Sequence, residues 1–322
     1  MKAALYRHNG PAAEVLQVEE IERPQPGPEE VLVRVRASGV NPTDWKTRSG
    51  MTPRPIDGFQ IPHLDGAGII EAVGPGVDPG RVGERVWLVM AAVGRRWGTA
   101  AEWTAVPERQ AVPLPDGASF ELGASLGVPA LTAHYCLFSD GPVKGQTVLV
   151  AGGAGAVGHF AIELAKRAGA RVITTVSSAE KGALAEKAGA DLVVNYRAGD
   201  AADQIRAFAP AVDRVIEVAL GANLALDLAL SRVGTTVVTY AAESADPVLP
   251  VRACMTANVI LRFVLLYGVP AAALERAAAD ITAALAAGDL TGLPVRRYPL
   301  DHIAAAHEAA EAGVVGKIIV TP

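Results

Sequence analysis

Cysteine is scarce: Cys136 and Cys254 are the only two in 322 residues, and they lie far apart in the chain. That excludes a disulfide framework and a cluster of four cysteine ligands around a structural zinc, and it points to a reducing, cytoplasmic compartment. The six histidines are scattered as well. His302 and His307 stand five apart and do not share a helix face neatly. His63 and His134 have room to come together, but each reads as a satisfied or exposed side chain and not as a ligand. No metal site is expected. Long apolar runs are also missing: Val259–Leu266 is too short for a membrane span, carries Arg262, and reads as a buried strand. Met1–Arg7 has no apolar core followed by a cleavage site, so no secretory signal is expected. Basic patches are absent too. Arg95-Arg96 and Arg296-Arg297 are isolated pairs in a chain of net charge −5, which argues against nucleic acid or an anionic membrane as the partner.

Half of the residues are hydrophobic, and the length accommodates two domains of ordinary size, each with its own core. The first third reads as β-rich. Val31–Arg36 alternates in its second half, and further short strands fit at Gly68–Val73 and Arg85–Val89, punctuated by Gly74, Gly76, Gly80 and Gly83. A small barrel-like domain is predicted there. From about Leu122 the pattern becomes alternating helix and strand, with strands at Thr147–Ala151, Arg171–Val176, Asp191–Asn195, Arg214–Val218, Thr235–Thr239 and Val259–Leu265. Such alternation implies an α/β, doubly wound parallel sheet. The tail offers a long Ala-rich helix over Ala271–Ala287, a strand at Pro294–Leu300, a helix from Asp301 and a last strand at Lys317–Val320. It is expected to return to the first domain, giving boundaries at 1–122 with 268–322, and 123–267.

The strongest motif is Gly153-Ala154-Gly155-Ala156-Val157-Gly158. It follows a β-branched apolar strand, opens onto a helix and leads to a second strand within about 30 residues, the setting that a dinucleotide fingerprint requires. Gly153 is assigned to the tight turn, Gly155 to close backbone approach of a pyrophosphate, and Gly158 to helix–strand packing. The pyrophosphate would rest on the helix N-terminus near Ala156 and Val157. At the end of the second strand, where an acid would hold the ribose of NAD, stand Ser177 and Ser178, with Lys181 shortly after. These side chains suit a 2′-phosphate, hence NADPH over NADH; the two serines would equally serve as helix caps.

Taken in order, Ser38–Asp44, Asp65–Gly68, Val82–Val86, Gly127–Ala133, the glycine fingerprint, Val194–Arg197 and the terminal Gly316-Lys317 closely resemble the zinc-independent, zeta-crystallin-like NADPH:quinone oxidoreductases of the medium-chain dehydrogenase/reductase superfamily. The resemblance spans almost the whole length. It implies a GroES-like catalytic domain split by a Rossmann domain, an active site in the cleft between them, and a homodimer paired through the last Rossmann strand. It also implies that Ser177, Lys181 and Tyr196 contact the 2′-phosphate, that Thr132 lies near the nicotinamide, and that Asn41 lies near the reacting centre.

Zinc-dependent members of that superfamily place a cysteine at the position of Asn41, and Asp65 stands where the acid of their His–Glu pair would be. Without a Lewis acid, oxidising an alcohol is poorly supported, whereas giving hydride to a quinone or an activated enone is not. Asn41, through its amide, and Lys46 are the candidates to stabilise charge developing on the acceptor oxygen; Lys46 would also pass as a surface lysine. Asp44 is expected to hold its loop by hydrogen bonds. The sequence Asp44-Trp45-Lys46 resembles the alkenal and enone reductase branch, so enone reduction stands as the alternative acceptor chemistry. A non-enzymatic NADPH-binding role is the alternative of a different class.

Overall fold

Antiparallel pairing dominates the ends of the chain and parallel pairing its middle, as the two hydrophobic patterns require. The computed structural model describes residues 1–243 and 245–322. Two compact units result, residues 1–128 with 294–322, and residues 129–293.

The first unit opens with β1 (Lys2–Leu5), α1 (Ala12–Val15) and β2 (Gln17–Glu20), the two strands forming an antiparallel pair. There follow β3 (Glu30–Gly39), α2 (Pro42–Ser49), β4 (Asp65–Val73) and β5 (Arg85–Leu88). Next come β6 (Trp103–Pro107), β7 (Ala111–Pro113), α3 (Phe120–Gly123) and α4 (Gly127–Phe138), the last running past the boundary at residue 128. β3 is the centre of a seven-stranded sheet. Its Val31, Leu32 and Val33 are fully buried, and the run then alternates, with Arg34 and Arg36 outward and Val35 and Ala37 inward.

The second unit is an α/β layer structure. Its elements are β8 (Thr147–Ala151), α5 (Ala156–Arg167), β9 (Arg171–Val176), α6 (Ala179–Lys187), β10 (Leu192–Asn195), α7 (Ala201–Phe208) and β11 (Val212–Glu217). α8 (Leu220–Leu230), β12 (Ser231–Thr239), α9 (Val251–Ala257), β13 (Ile260–Phe263) and α10 (Ala271–Ala286) complete it. The six strands are all parallel, in the order β10-β9-β8-β11-β12-β13. This is the doubly wound dinucleotide-binding order, with its switch point between β8 and β11. The chain then returns to the first unit through β14 (Val295–Pro299), α11 (Ile303–Glu311) and β15 (Lys317–Thr321), and β15 pairs with β3.

Two expectations are corrected. The tail returns at residue 294 and not at 268, because α10 packs within the second unit. Its Ala277, Ile281 and Leu285 are buried, its Asp280 accepts a 2.8 Å hydrogen bond from His134 on α4, and Thr291 just beyond it donates to Glu163 on α5. Likewise the first boundary falls at 128/129 and not at 122/123. The second correction concerns Val259–Leu265, which was expected to be buried. β13 is the edge of its sheet, paired on one side only with β12, and Ile260 (51 %), Phe263 (72 %) and the following Leu265 (68 %) are exposed. Among the described residues no helix is long and apolar enough to cross a membrane.

Candidate active site

The glycine turn forms as the fingerprint demands, with one reassignment. The tight turn is made by Gly152, whose φ of +70° lies in the left-handed region, and not by Gly153. Gly153 is instead a packing glycine: a Cβ there would meet Thr174 Oγ1 at 2.2 Å and Ile162 Cδ1 at 2.7 Å. Gly158 does the same for the helix, since its Cβ would stand 2.4 Å from the Gly152 carbonyl oxygen. Gly155 differs from both. It is exposed, it occupies the N-cap of α5 with no side chain capping the helix, and a Cβ there would meet nothing nearer than the Gly152 oxygen at 3.3 Å. The Gly155 amide donates to the Gly152 carbonyl oxygen at 2.9 Å, while the amides of Ala156 and Val157, which no side chain caps, form a helix end suited to an anion. A dinucleotide pyrophosphate fits this end in both charge and room.

β8, β9 and β10 finish side by side. Asn195 is in register with Val176, so Tyr196 and Ser177 leave adjacent strand ends together. Ser177 accepts a 3.1 Å hydrogen bond from Lys181 Nζ. Ser178 is the N-cap of α6, its hydroxyl accepting from the Lys181 amide at 3.3 Å. The two serines therefore differ: Ser178 caps the helix, while Ser177 and Lys181 form a polar pair at the strand end. Tyr196 is half exposed, in a single turn of 3-10 helix secured by Asn195 Oδ1 on the Arg197 amide. Glu180 is exposed in the first turn of α6. Thr132 is buried on α4.

In the first unit the structure assembles a polar cluster from three sheet neighbours. β15 and β3 pair with Ile319 opposite Gly39, and β3 and β4 pair with Gly39 opposite Asp65. Antiparallel register therefore carries Lys317, Asn41 and Asp65 to one end of three adjacent strands. Asn41 is held at three points. Its backbone N–H donates to Asp44 at 2.7 Å, its Nδ2 donates to Asp65 at 2.7 Å, and its Oδ1 accepts from Lys317 Nζ at 2.8 Å. Lys317 also donates to the Val40 carbonyl at 3.0 Å, and Asp65 accepts from the Val128 amide at 2.9 Å. All four side chains are buried. Burial pushes the Asp44 carboxyl up to about 7 and that of Asp65 up to about 6, while Lys317 holds both lower than burial alone would. Burial also lowers the Lys317 ammonium, which the two carboxylates support in turn.

Asp44 thus holds the loop, as expected. Lys46 does not join the cluster: it lies two residues along α2, off the face that buries Asp44 and Arg48, with its Nζ 5.7 Å from the centre of the Trp45 ring. His63 and His134 read as satisfied side chains, and each has its own partner. His134 bonds Asp280, and His63 meets His307, their Nε2 atoms 3.0 Å apart, with His63 Nδ1 on the Ser38 hydroxyl at 2.7 Å. Sequence reasoning missed Lys317 as a site residue; its one signal was a lysine set directly against the apolar strand Ile318-Ile319-Val320.

Comparison with known proteins bears on both halves. Residues 27–116 match the alcohol dehydrogenase GroES-like domain, and residues 156–283 match the zinc-binding dehydrogenase family. A quinone oxidoreductase of Rattus norvegicus is 32 % identical over 98 % of this chain and 95 % of its own length. Among solved structures, a mycobacterial quinone oxidoreductase is 35 % identical with a TM-score of 0.86, all of both chains being covered. The Escherichia coli quinone oxidoreductase complexed with NADPH is 26 % identical with a TM-score of 0.87, again over the whole of both chains. The zinc in one family description finds no fitting donor set here. Among the described residues no three His, Cys, Asp or Glu side chains are placed to hold a metal ion, and the Asn41 cluster is built around an ammonium, which repels a cation.

Proposed function

The chain belongs to the quinone oxidoreductase family of the medium-chain dehydrogenase/reductase superfamily, and on that premise we propose that it is an NADPH-dependent reductase that gives hydride to a quinone without a metal. The observation that supports the metal-free reading is the Asn41 cluster, where the amide at the position of a zinc-ligand cysteine is bonded to an ammonium. NADPH, when bound, supplies the hydride; with one proton from solvent, a quinone becomes the hydroquinone and NADP⁺ is left.

The backbone from Gly153 through Gly158 is read as the pyrophosphate cradle, with Gly155, Ala156 and Val157 presenting the helix end. Ser177, Lys181 and Tyr196 are read as the 2′-phosphate site, with Ser178 holding the helix that carries Lys181. Thr132 is assigned to the nicotinamide. Asn41 is assigned to the acceptor: Asp65 takes only one of the two hydrogens on Nδ2, and the other is free to donate to an oxygen gaining negative charge. Lys46 is the second candidate donor, from a different face of α2.

The exposed Ile260, Phe263 and Leu265 along the β13 edge support a homodimer joined through that strand. The free Cys136 and Cys254 accord with the cytoplasm.

Anaerobic mixing of the protein with NADPH and a panel of quinones and enones tests the reading. Loss of the reduced-nicotinamide absorbance that depends on a quinone is expected. Consumption with enones alone would move the acceptor to that class, and no acceptor-dependent loss would leave a binding protein. Lys46→Ala tests the second donor: an unchanged kcat/KM for quinone and enone alike removes Lys46 from the site.

A further inference from the structure

Lys317 is buried, and its ammonium is remote in sequence from the groups to which it donates. It meets Asn41 and Val40 across 276 and 277 residues of chain, and it enters a cluster that already contains two carboxyl groups. Removing an ammonium from water is costly, and a well-packed apolar side chain would fill the same space at least as stably. Stability alone therefore does not account for the choice of residue. The arrangement around one amide does.

The amide of Asn41 has two faces that crystallographers routinely find interchangeable, but here the surroundings are not symmetric. Asp65 stands on the Nδ2 side and Lys317 on the Oδ1 side. Turning the amide over would set its oxygen against a carboxylate and its NH₂ against an ammonium. Only one orientation is compatible with both neighbours. In that orientation the hydrogen of Nδ2 not taken by Asp65 has a defined direction. An ammonium on Oδ1 also draws electron density from the amide, which makes that N–H a better donor.

We propose that Lys317 is a positioning residue for the reductase reaction, fixing and polarising the Asn41 amide so that its second N–H is aimed at the oxygen of the hydride acceptor. This rests on the reading of Asn41 as the acceptor-oxygen donor. Lys317 acts through Asn41 and touches neither cofactor nor acceptor itself. It takes over, with a fixed ammonium one bond removed, part of the charge stabilisation that a metal would supply directly.

A double-mutant cycle tests the idea with NADPH and 1,4-benzoquinone as the probes. Asn41→Ala, Lys317→Met and the pair are compared for kcat, KM and NADPH affinity by nicotinamide fluorescence. Lys317→Met is expected to lower kcat on the order of 10- to 100-fold, as misplacement of a reacting group does, with NADPH affinity and the quinone KM little changed. In the Asn41→Ala background the same substitution is expected to have almost no further effect on kcat. Lys317→Gln keeps a neutral donor on a side chain one atom shorter, so it is expected to lose less kcat than Lys317→Met and, like it, to have almost no further effect in the Asn41→Ala background; it serves should Lys317→Met fail to fold. If Asn41→Ala retains wild-type kcat, the reading of Asn41 is wrong and this proposal goes with it. If Asn41→Ala is impaired while the Lys317 variants are not, or if the two effects multiply, the proposal alone is overturned.

Discussion

His63 and His307 share a hydrogen bond between their Nε2 atoms, 3.0 Å apart and fully buried, although 244 residues separate them in the chain. One ring must donate and the other accept, so at most one of the two can carry a charge, and burial disfavours even that. Burial lowers His63 well below its ordinary value and His307 to about 3. Below pH 6.5 the unfolded chain therefore takes up protons that the fold refuses, and stability falls as pH falls from 6.5 toward 3. Asp44, Asp65 and Asp227, raised to about 7, 6 and 8, act with the opposite sign. Comparison with His307→Gln cancels those carboxyls. Between pH 7.5 and 5 the wild type should lose about 2 kcal/mol relative to this variant, read from urea midpoints. Parallel curves would show that His307 is not held neutral.

Lys181 and Ser177 form a pair whose use should depend on the cofactor. A hydrogen bond to a charged group contributes about 1.5–3 kcal/mol, so Lys181→Ala should raise the KM for NADPH roughly 10- to 100-fold while leaving that for NADH nearly unchanged. Equal losses with both cofactors would remove Lys181 from the 2′-phosphate site.

The fingerprint glycines should separate into two groups. Gly153→Ala drives a Cβ into Thr174 and Ile162, and overpacking of this kind costs about 1–3 kcal/mol. Its thermal midpoint should drop. Gly155→Val brings its Cβ near the Gly152 carbonyl oxygen alone, at 3.3 Å, so its midpoint should drop less than that of Gly153→Ala while it binds NADPH far more weakly. Thermal melts and a fluorescence titration on both variants decide the matter, and a Gly155→Val protein that binds normally would show that the pyrophosphate lies elsewhere.

Charge at the β13 edge should separate the proposed dimer. Ile260→Lys with Phe263→Lys places two ammonium groups on an exposed apolar strand without touching its bonds to β12. Sedimentation should change from a dimer to a monomer with the fold retained. An unchanged mass would point to another surface.

How much could be read beforehand follows from the distances over which the residues act. The parallel strands, the glycine turn and the serines after β9 are each specified within a few neighbours, by burial pattern, backbone freedom and capping, and all were legible. The reassignment of the turn from Gly153 to Gly152 was not, because the residue with positive φ is visible only once the turn is built. The edge position of β13 was implied by the family resemblance but not by the residues of the strand. An apolar run looks the same whether neighbours cover it on two sides or one.

By itself the chain determined two units and a dinucleotide turn, since these depend on local spacing and burial pattern. The tertiary structure alone decided what surrounds Asn41 and His63. Lys317 reaches Asn41, and His307 reaches His63, only because the C-terminal β15 and α11 return to the first unit. Register between strands from opposite ends of a chain has no signature in either strand. It is set by which buried faces fit together, and that is a property of the packed molecule.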